Sequence, residues 1–213
     1  MIDVVLPALN ERVALPWVLA RMPSAFRPIV VDNGSTDGSG DLARELGALV
    51  ISEARRGFGA ACQRGLEAAT SDVVCFMDCD GSLDPRDLPR VSNPVSAGDA
   101  DLLVGARAAE PGAWPFHARV ANRVLAFEIR RRWGISVTDV GPMRAAPRGA
   151  LLGLGIRDRR SGWPLEMLTR AIEAGWRVAQ VPVSFRARSG SSKVTGTLGG
   201  TLRAIGDMGK VLW

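Results

Sequence analysis

Histidine is nearly missing from these 213 residues, tyrosine is missing altogether, and cysteine occurs only three times. A single histidine, His117, leaves little room for Ser-His or Cys-His nucleophilic catalysis, and no G-x-S-x-G elbow occurs. Cys62, Cys75 and Cys79 are odd in number and lack C-x-x-C spacing, so they read as small buried hydrophobes rather than a zinc site or disulfides. The longest wholly apolar run, Val73 to Met77, falls far short of the roughly 20 residues that a helical membrane span needs. Met1-Ile2-Asp3 leads straight into an apolar strand without a basic leader, and the expected location is the cytoplasm. Lys193 has no Walker glycines ahead of it, and Cys62 stands where a dinucleotide fingerprint would need its third glycine. Internal repeats, linkers and low-complexity tracts are also lacking.

What is present is an ordinary globular balance, 46% apolar and 23% charged, with a net charge of +5. The charge is unevenly placed. Residues 1–106 hold 15 acids and 9 bases, net −6, whereas residues 107–213 hold 7 acids and 18 bases, net +11. Genomic bias accounts for arginine over lysine, since 25 of the 27 bases are arginine, but not for where the charges lie. An acidic half suits a cation, and a basic half suits an anionic partner such as phosphate. The arginines are not interleaved with aromatics, which argues against nucleic acid.

In the first half, unbroken Val- and Ile-rich strands at 2–6, 28–32, 48–52, 72–77 and 100–105 alternate with helical stretches through 16–22, 38–46 and 58–69. Burial on both strand faces implies a mostly parallel, doubly wound α/β sheet, whose ligands bind beyond the carboxyl ends of the strands, here 7–11, 32–37 and 78–84. The second half predicts helices at 115–133 and 163–174, a strand at 177–181 and a polar loop at 186–196. A tail over 198–213 places Leu198, Leu202, Ile205 and Leu212 on one side.

Asp78-Cys79-Asp80 ends a buried strand, and Gly81 lets the chain turn there. Paired carboxylates in such a turn are hard ligands suited to Mg²⁺ or Mn²⁺ and, through the ion, to a diphosphate. A solvated acidic turn with a cap at Asp84 or Asp87 is the plainer alternative. A second cluster, Asp32-Asn33-Gly34-Ser35-Thr36-Asp37, ends strand two on the same sheet edge. There Gly34 permits close backbone approach, and Asp32 or Asn33 can bond a ribose or base. Two such turns favour a nucleotide site.

Four segments in order, Leu6-Pro7-Ala8-Leu9-Asn10-Glu11, Val31 to Gly38, Arg56-Gly57-Phe58-Gly59-Ala60-Ala61 and Met77-Asp78-Cys79-Asp80-Gly81, resemble the nucleotide-sugar half of glycosyltransferase family 2. The resemblance is closest to the polyprenyl-phosphate type and covers residues 2 to about 195. It implies a GT-A fold, a single Rossmann-like domain over 1–195 with a nucleotide-sugar half (1–106) and an acceptor half (107–195), followed by a tail over 196–213. By the same resemblance, Pro7, Asn10 and Glu11 line the base and ribose pocket, Asp32 contacts the nucleoside, and Asp78 and Asp80 hold metal and diphosphate. Ser82 stands where relatives often carry a further Gln ligand. Thr138 to Arg144 is similar to the acceptor-side segment, with Gly-Pro-Met-Arg replacing Ser-Gly-Phe-Arg, and Trp163 to Glu166 opens the helix below the site. Arg186 to Lys193 is similar to a mobile R-x-x-G-x-S-K loop in which either Arg186 or Arg188 fills the arginine position.

The implied activity is inverting transfer of a hexose from a UDP- or GDP-sugar to a polyprenyl phosphate, with a metal on Asp80, together with Arg186 or Arg188 and Lys193, stabilising the departing diphosphate. A phosphate acceptor is already ionised and needs no base, whereas a sugar or glycolipid hydroxyl would need one, for which Asp139 and Glu166 are the candidates. Two readings of other kinds compete. A sugar nucleotidyltransferase would ordinarily carry a glycine-rich loop after the first strand, where Ala8-Leu9-Asn10-Glu11 stands, and a non-catalytic module binding anionic membrane leaves the acidic clusters without a role. A membrane surface remains a candidate partner beside the leading reading.

Overall fold

The computed structural model describes residues 1–189 and 206–209. Seven strands form one sheet: β1 (Ile2–Ala8), β2 (Phe26–Asp32), β3 (Leu49–Ser52), β4 (Val73–Phe76), β5 (Leu102–Ala109), β6 (Met143–Pro147) and β7 (Val178–Phe185). Their spatial order is β3-β2-β1-β4-β6-β5-β7. Strands β1 to β4 pair in parallel, β6 runs antiparallel to both β4 and β5, and β7 pairs in parallel with β5. The doubly wound α/β architecture expected from the strand runs is therefore present, with one reversed strand. Because β6 comes from the second half and sits between β4 and β5, both halves share a single sheet.

Strand β1 shows why the sheet is covered on both faces. Val4, Val5 and Leu6 are all fully buried. Alternation sends Val4 and Leu6 into one core with α1 (Leu15–Ala20), α2 (Ser39–Glu45) and α4 (Leu88–Ser96), while Val5 enters the other with α3 (Phe58–Ala68) and α7 (Trp163–Glu173). The second core is closed by α5 (Phe116–Trp133) and α6 (Arg148–Gly153). Cys62, Cys75 and Cys79 are buried free thiols within these cores.

Three elements lack a clear sequence signal. Strand β6, Met-Arg-Ala-Ala-Pro, has no branched run and a charge at its second position. Helix α4 carries prolines at both 89 and 94, and α6 is only six residues long. Strand β7 continues to Phe185, four residues beyond the predicted end, because it pairs with β5 along its whole length. The tail residues Leu198, Leu202, Ile205 and Leu212 lie outside the described residues.

At the far end of β1, Asp3 fastens the sheet to the turn before β4. Its carboxylate accepts hydrogen bonds from Arg27 Nε (2.6 Å) and Nη2 (2.9 Å) and from the Thr70 (2.6 Å) and Ser71 (3.0 Å) amides. Burial, the largest single influence, opposes ionisation, but Arg27 and the two amides together hold the Asp3 carboxyl down at about 2. A carboxyl lowered from an ordinary 3.8 contributes its full stabilisation above about pH 4 and loses it as the pH falls towards 2. Arg27 is partly exposed, so solvent reduces the effect to about 2 kcal/mol or less. Urea unfolding of Asp3→Asn should therefore show a loss of about 2 kcal/mol at pH 7 that shrinks at pH 2. An equal deficit at both pH values would contradict this account.

Candidate active site

The carboxyl ends of β1 and β4 open onto a cavity of about 810 Å³. Of the residues singled out in the sequence, Pro7, Glu11, Asp78, Asp80, Arg144 and Arg188 line it. Asp80 Oδ1 accepts the Ser82 amide at 2.9 Å, closing the turn that Gly81 begins in the left-handed region (φ 79°). Asp80 Oδ2 lies 3.4 Å from Arg188 Nη1, and Arg188 Nη2 lies 3.2 Å from Glu11 Oε1. One guanidinium thus joins carboxylates from two different turns.

Local backbone pairing puts Arg188 there. The chain leaving β7 runs back along the acidic turn: Leu83 bridges Phe185, the Arg186 amide donates to Ser82 O, and the Ser189 amide donates to Asp80 O, the last two at 2.9 Å. A side chain at Gly81 would come within 3.2 Å of Ser189 Oγ, so the glycine also lets this strap pass closely. Of the two candidate arginines, Arg188 reaches the carboxylates. Arg186 does not line the cavity, because it stacks over the Trp17 ring at 3.3 Å and donates to Gly81 O. Lys193 lies outside the described residues.

Asp78 is half-buried beside this pair. Burial, and then the neighbouring Asp80 charge, push its carboxyl up to about 7, against the pull of Arg107 and Arg188. Among the described residues no group of three or more His, Cys, Asp or Glu side chains has the placement to hold a metal ion. Two aspartates on the wall, one already paired with a cation, suit a divalent ion whose remaining ligands are diphosphate oxygens and water.

The nucleoside side differs from the expectation. Asp32 faces away from the cavity: its Oδ1 accepts the Ser35 amide at 2.8 Å, and its Oδ2 sits 2.8 Å from where a Cβ on Gly40 would be, at the start of α2. Side chains alternate along β2, so Asn33 lines the cavity instead. Asn33 takes the Gly57 amide on its Oδ1 and donates to the carbonyls of Glu53 and Arg55. Asn10, in the left-handed region (φ 54°), ties the first turn to the second by accepting the Thr36 amide at 2.8 Å and does not line the cavity. Gly34 makes room for Arg56, whose guanidinium carbon would lie 2.9 Å from a Cβ there. The glycine at 57 serves packing: a Cβ would stand 2.0 Å from Arg159 O.

On the acceptor side, Arg144 in β6 is a buried guanidinium bonded to three carbonyls, those of Gly141 (2.8 Å), Val140 and Pro164. Burial lowers its pKa to about 10. Asp139 does not reach the cavity. It accepts Arg107 N, Nε and Nη2 at 2.8, 2.9 and 2.7 Å, together with the Gly141 amide. Burial alone would raise its pKa, but these bonds lower it. Glu166 likewise faces inward, taking the Arg157 and Asp158 amides and Arg170 Nε, and its pKa too is lowered in spite of burial. Neither carboxyl has the open position and raised pKa of a general base. Arg107 was not singled out in the sequence, where nothing but its place after a strand marks it. It lines the cavity and stacks over Trp114 at 3.8 Å.

The glycosyl transferase family 2 model matches residues 3–152. An uncharacterized glycosyltransferase of Mycobacterium tuberculosis is 47% identical over 99% of this chain and 97% of its own. The polyprenol monophosphomannose synthase of Mycolicibacterium smegmatis is 32% identical over 91% of this chain and 81% of its own. Among solved structures, glucosyl-3-phosphoglycerate synthase from M. tuberculosis, in complex with Mn²⁺, UDP and glucosyl-3-phosphoglycerate, superimposes with a TM-score of 0.78 at 25% identity, covering 100% of this chain and 78% of that one.

Arg188 draws the Asp78 pKa down, so Arg188→Ala should raise the Asp78 midpoint further above about 7 and Arg188→Lys should restore most of it. NMR titration of carboxyl-labelled protein measures both. A midpoint unmoved by the alanine variant would exclude the coupling.

Proposed function

The chain belongs to glycosyltransferase family 2, and we propose that it transfers a hexose from a nucleoside diphosphate sugar to a lipid phosphate, with inversion at the anomeric carbon. The carrying observation is the carboxyl edge itself, where Asp78, Asp80 and Glu11 from two turns share one cavity wall with Arg188. Carboxylates suit a divalent ion, and the adjacent guanidinium suits the phosphates that accompany it.

The reaction forms one bond and breaks one. An acceptor phosphate oxygen attacks C1 of the hexose from the face opposite the diphosphate, and the bond from C1 to the β-phosphate oxygen breaks, leaving a nucleoside diphosphate. Asp78 and Asp80 would hold a divalent ion, which would supply charge neutralisation for that leaving group. Arg188 adds a fixed donor on the same side, and Arg144, buried without a carboxylate partner in hydrogen-bonding contact, adds positive potential below the cavity. Asn33 and Arg56 are the wall residues nearest the second turn and are assigned to the nucleoside side. Arg107 faces the acceptor, held in place by Asp139, which is a positioning residue.

Two features support a phosphate acceptor over an alcohol. Asp139 and Glu166 are both engaged by several donors with lowered pKa values, and an ionised phosphate monoester needs neither as a base. The wall formed by Trp114, Pro115, Ala118, Ala121 and Leu125 is apolar, which suits a prenyl chain beyond the phosphate.

The test is product analysis with UDP- and GDP-hexoses, Mg²⁺ or Mn²⁺, and short-chain polyprenyl phosphate or 3-phosphoglycerate as acceptor. The expected result is nucleoside diphosphate release coupled to a hexosyl lipid phosphate, abolished by chelation and lowered roughly 10²- to 10³-fold in Asp80→Asn. Release of pyrophosphate would overturn the reaction class, and transfer to 3-phosphoglycerate alone would overturn the lipid acceptor.

A further inference from the structure

Helix α5 has three distinct sides. Its core side carries Asn122, Ala126 and Ile129, and its cavity side carries Ala118, Ala121 and Leu125. The remaining side is apolar and yet faces solvent: Phe116 is 78% exposed, Val120 42%, Val124 57% and Phe127 63%. These four account for nearly half of the nine large exposed hydrophobics among the described residues. They fall at spacings of four, four and three, which at about 100° per residue places them in one stripe. Projected in the same way, Arg119, Arg123 and Arg130 form one border of the stripe, Arg131 continues its line one turn beyond Phe127, and His117 and Glu128 lie between it and the cavity side.

The charge of the helix says what covers the stripe. Five arginines stand against one acid, Glu128, which is already paired with Arg131 and Arg132. Arg119 and Arg123 are exposed, and among the described residues no ion pair engages them. An exposed apolar stripe bordered by unpaired cations matches the interfacial region of an anionic bilayer, with hydrocarbon under the stripe and headgroup phosphate at the arginines. We propose that α5 docks this chain on an anionic phospholipid surface, with the Phe116–Phe127 stripe inserted and Arg119 and Arg123 on the headgroups. The proposal deepens the lipid-phosphate reading above and rests on it for its purpose. In that orientation the apolar cavity wall of the same helix lies on the side of the stripe away from Arg119 and Arg123, beyond His117 and Glu128.

The experiment uses the full chain with vesicles of phosphatidylcholine alone or with added phosphatidylglycerol, neither containing polyprenyl phosphate. Co-sedimentation should be strong only with phosphatidylglycerol, weaken with salt, and fall roughly ten-fold or more in Phe116→Ser/Phe127→Ser and in Arg119→Glu/Arg123→Glu. Because the three native cysteines are buried, Val124→Cys accepts an environment-sensitive fluorophore selectively and gives a second readout. Its emission should shift blue on anionic vesicles, while a label at Glu45→Cys on α2 should not respond. Absence of wild-type binding, equal binding by both double variants, or a Val124 label as unresponsive as the Glu45 label would overturn the proposal. So would light scattering showing that the serine variant turns a dimer into a monomer, because a second copy would then cover the stripe. The two readings fail separately: vesicle binding with transfer only to 3-phosphoglycerate refutes the lipid acceptor, whereas transfer to short-chain polyprenyl phosphate without vesicle binding refutes the docking.

Discussion

Three carboxylates on one cavity wall repel each other, and the architecture around them is arranged to supply positive charge. Glu11 follows β1, and Asp78 and Asp80 follow β4, because parallel neighbouring strands deliver their carboxyl ends to the same edge. Arg188 answers them from the end of β7, three strands away, by means of the strap that pairs residues 186–189 with the acidic turn. Burial, and then the neighbouring Asp80 charge, still push the Asp78 carboxyl up against the pull of Arg107 and Arg188. Carboxylates gathered in this way suit a divalent ion and the phosphates that accompany it.

The second half meets a different requirement, the burial of positive charge. Among the described residues Arg144 has no carboxylate within hydrogen-bonding reach and is satisfied by three carbonyls, which at once fixes the 140–141 turn and the start of α7. Removing one partner of such a group costs more than its net contribution suggests, because the rest remains desolvated. Arg107 is held by Asp139 on one side and lies over the Trp114 ring at 3.8 Å, with the Phe185 ring at 5.5 Å, on the other. This wall of the cavity is thereby built from cations that the protein's own groups hold in position.

Much of this was readable from residue order alone. The branched strand runs located β1 to β4, and turn residues behind two of them located the acidic clusters. What was not readable depended on which face or register a residue takes. Asp32 ends β2 and Asn33 follows it, and only the position of the cavity decides between them. Arg186 and Arg188 differ by two, and the pairing of Leu83 with Phe185 decides there. Strand β6 has alanines and an arginine where a central strand usually has branched residues, so its place in the sheet comes from its neighbours rather than its own propensity. The glycine at 57 opens a segment that matches a dinucleotide fingerprint only in part, and the contact with Arg159 that requires a glycine there has no sequence signal. On α5 the apolar positions follow helical periodicity, but which of its apolar stripes is buried and which faces solvent depends on how the helix packs.

The reversed strand has a consequence for biosynthesis. β5 finds hydrogen-bonded neighbours only in β6 and β7, both of which emerge later from the ribosome, and β4 keeps a bare flank until Met143–Pro147 slides in beside it. Residues 1–106 therefore cannot complete their share of the sheet alone. A nascent chain must carry an unfinished sheet through the synthesis of roughly its middle third.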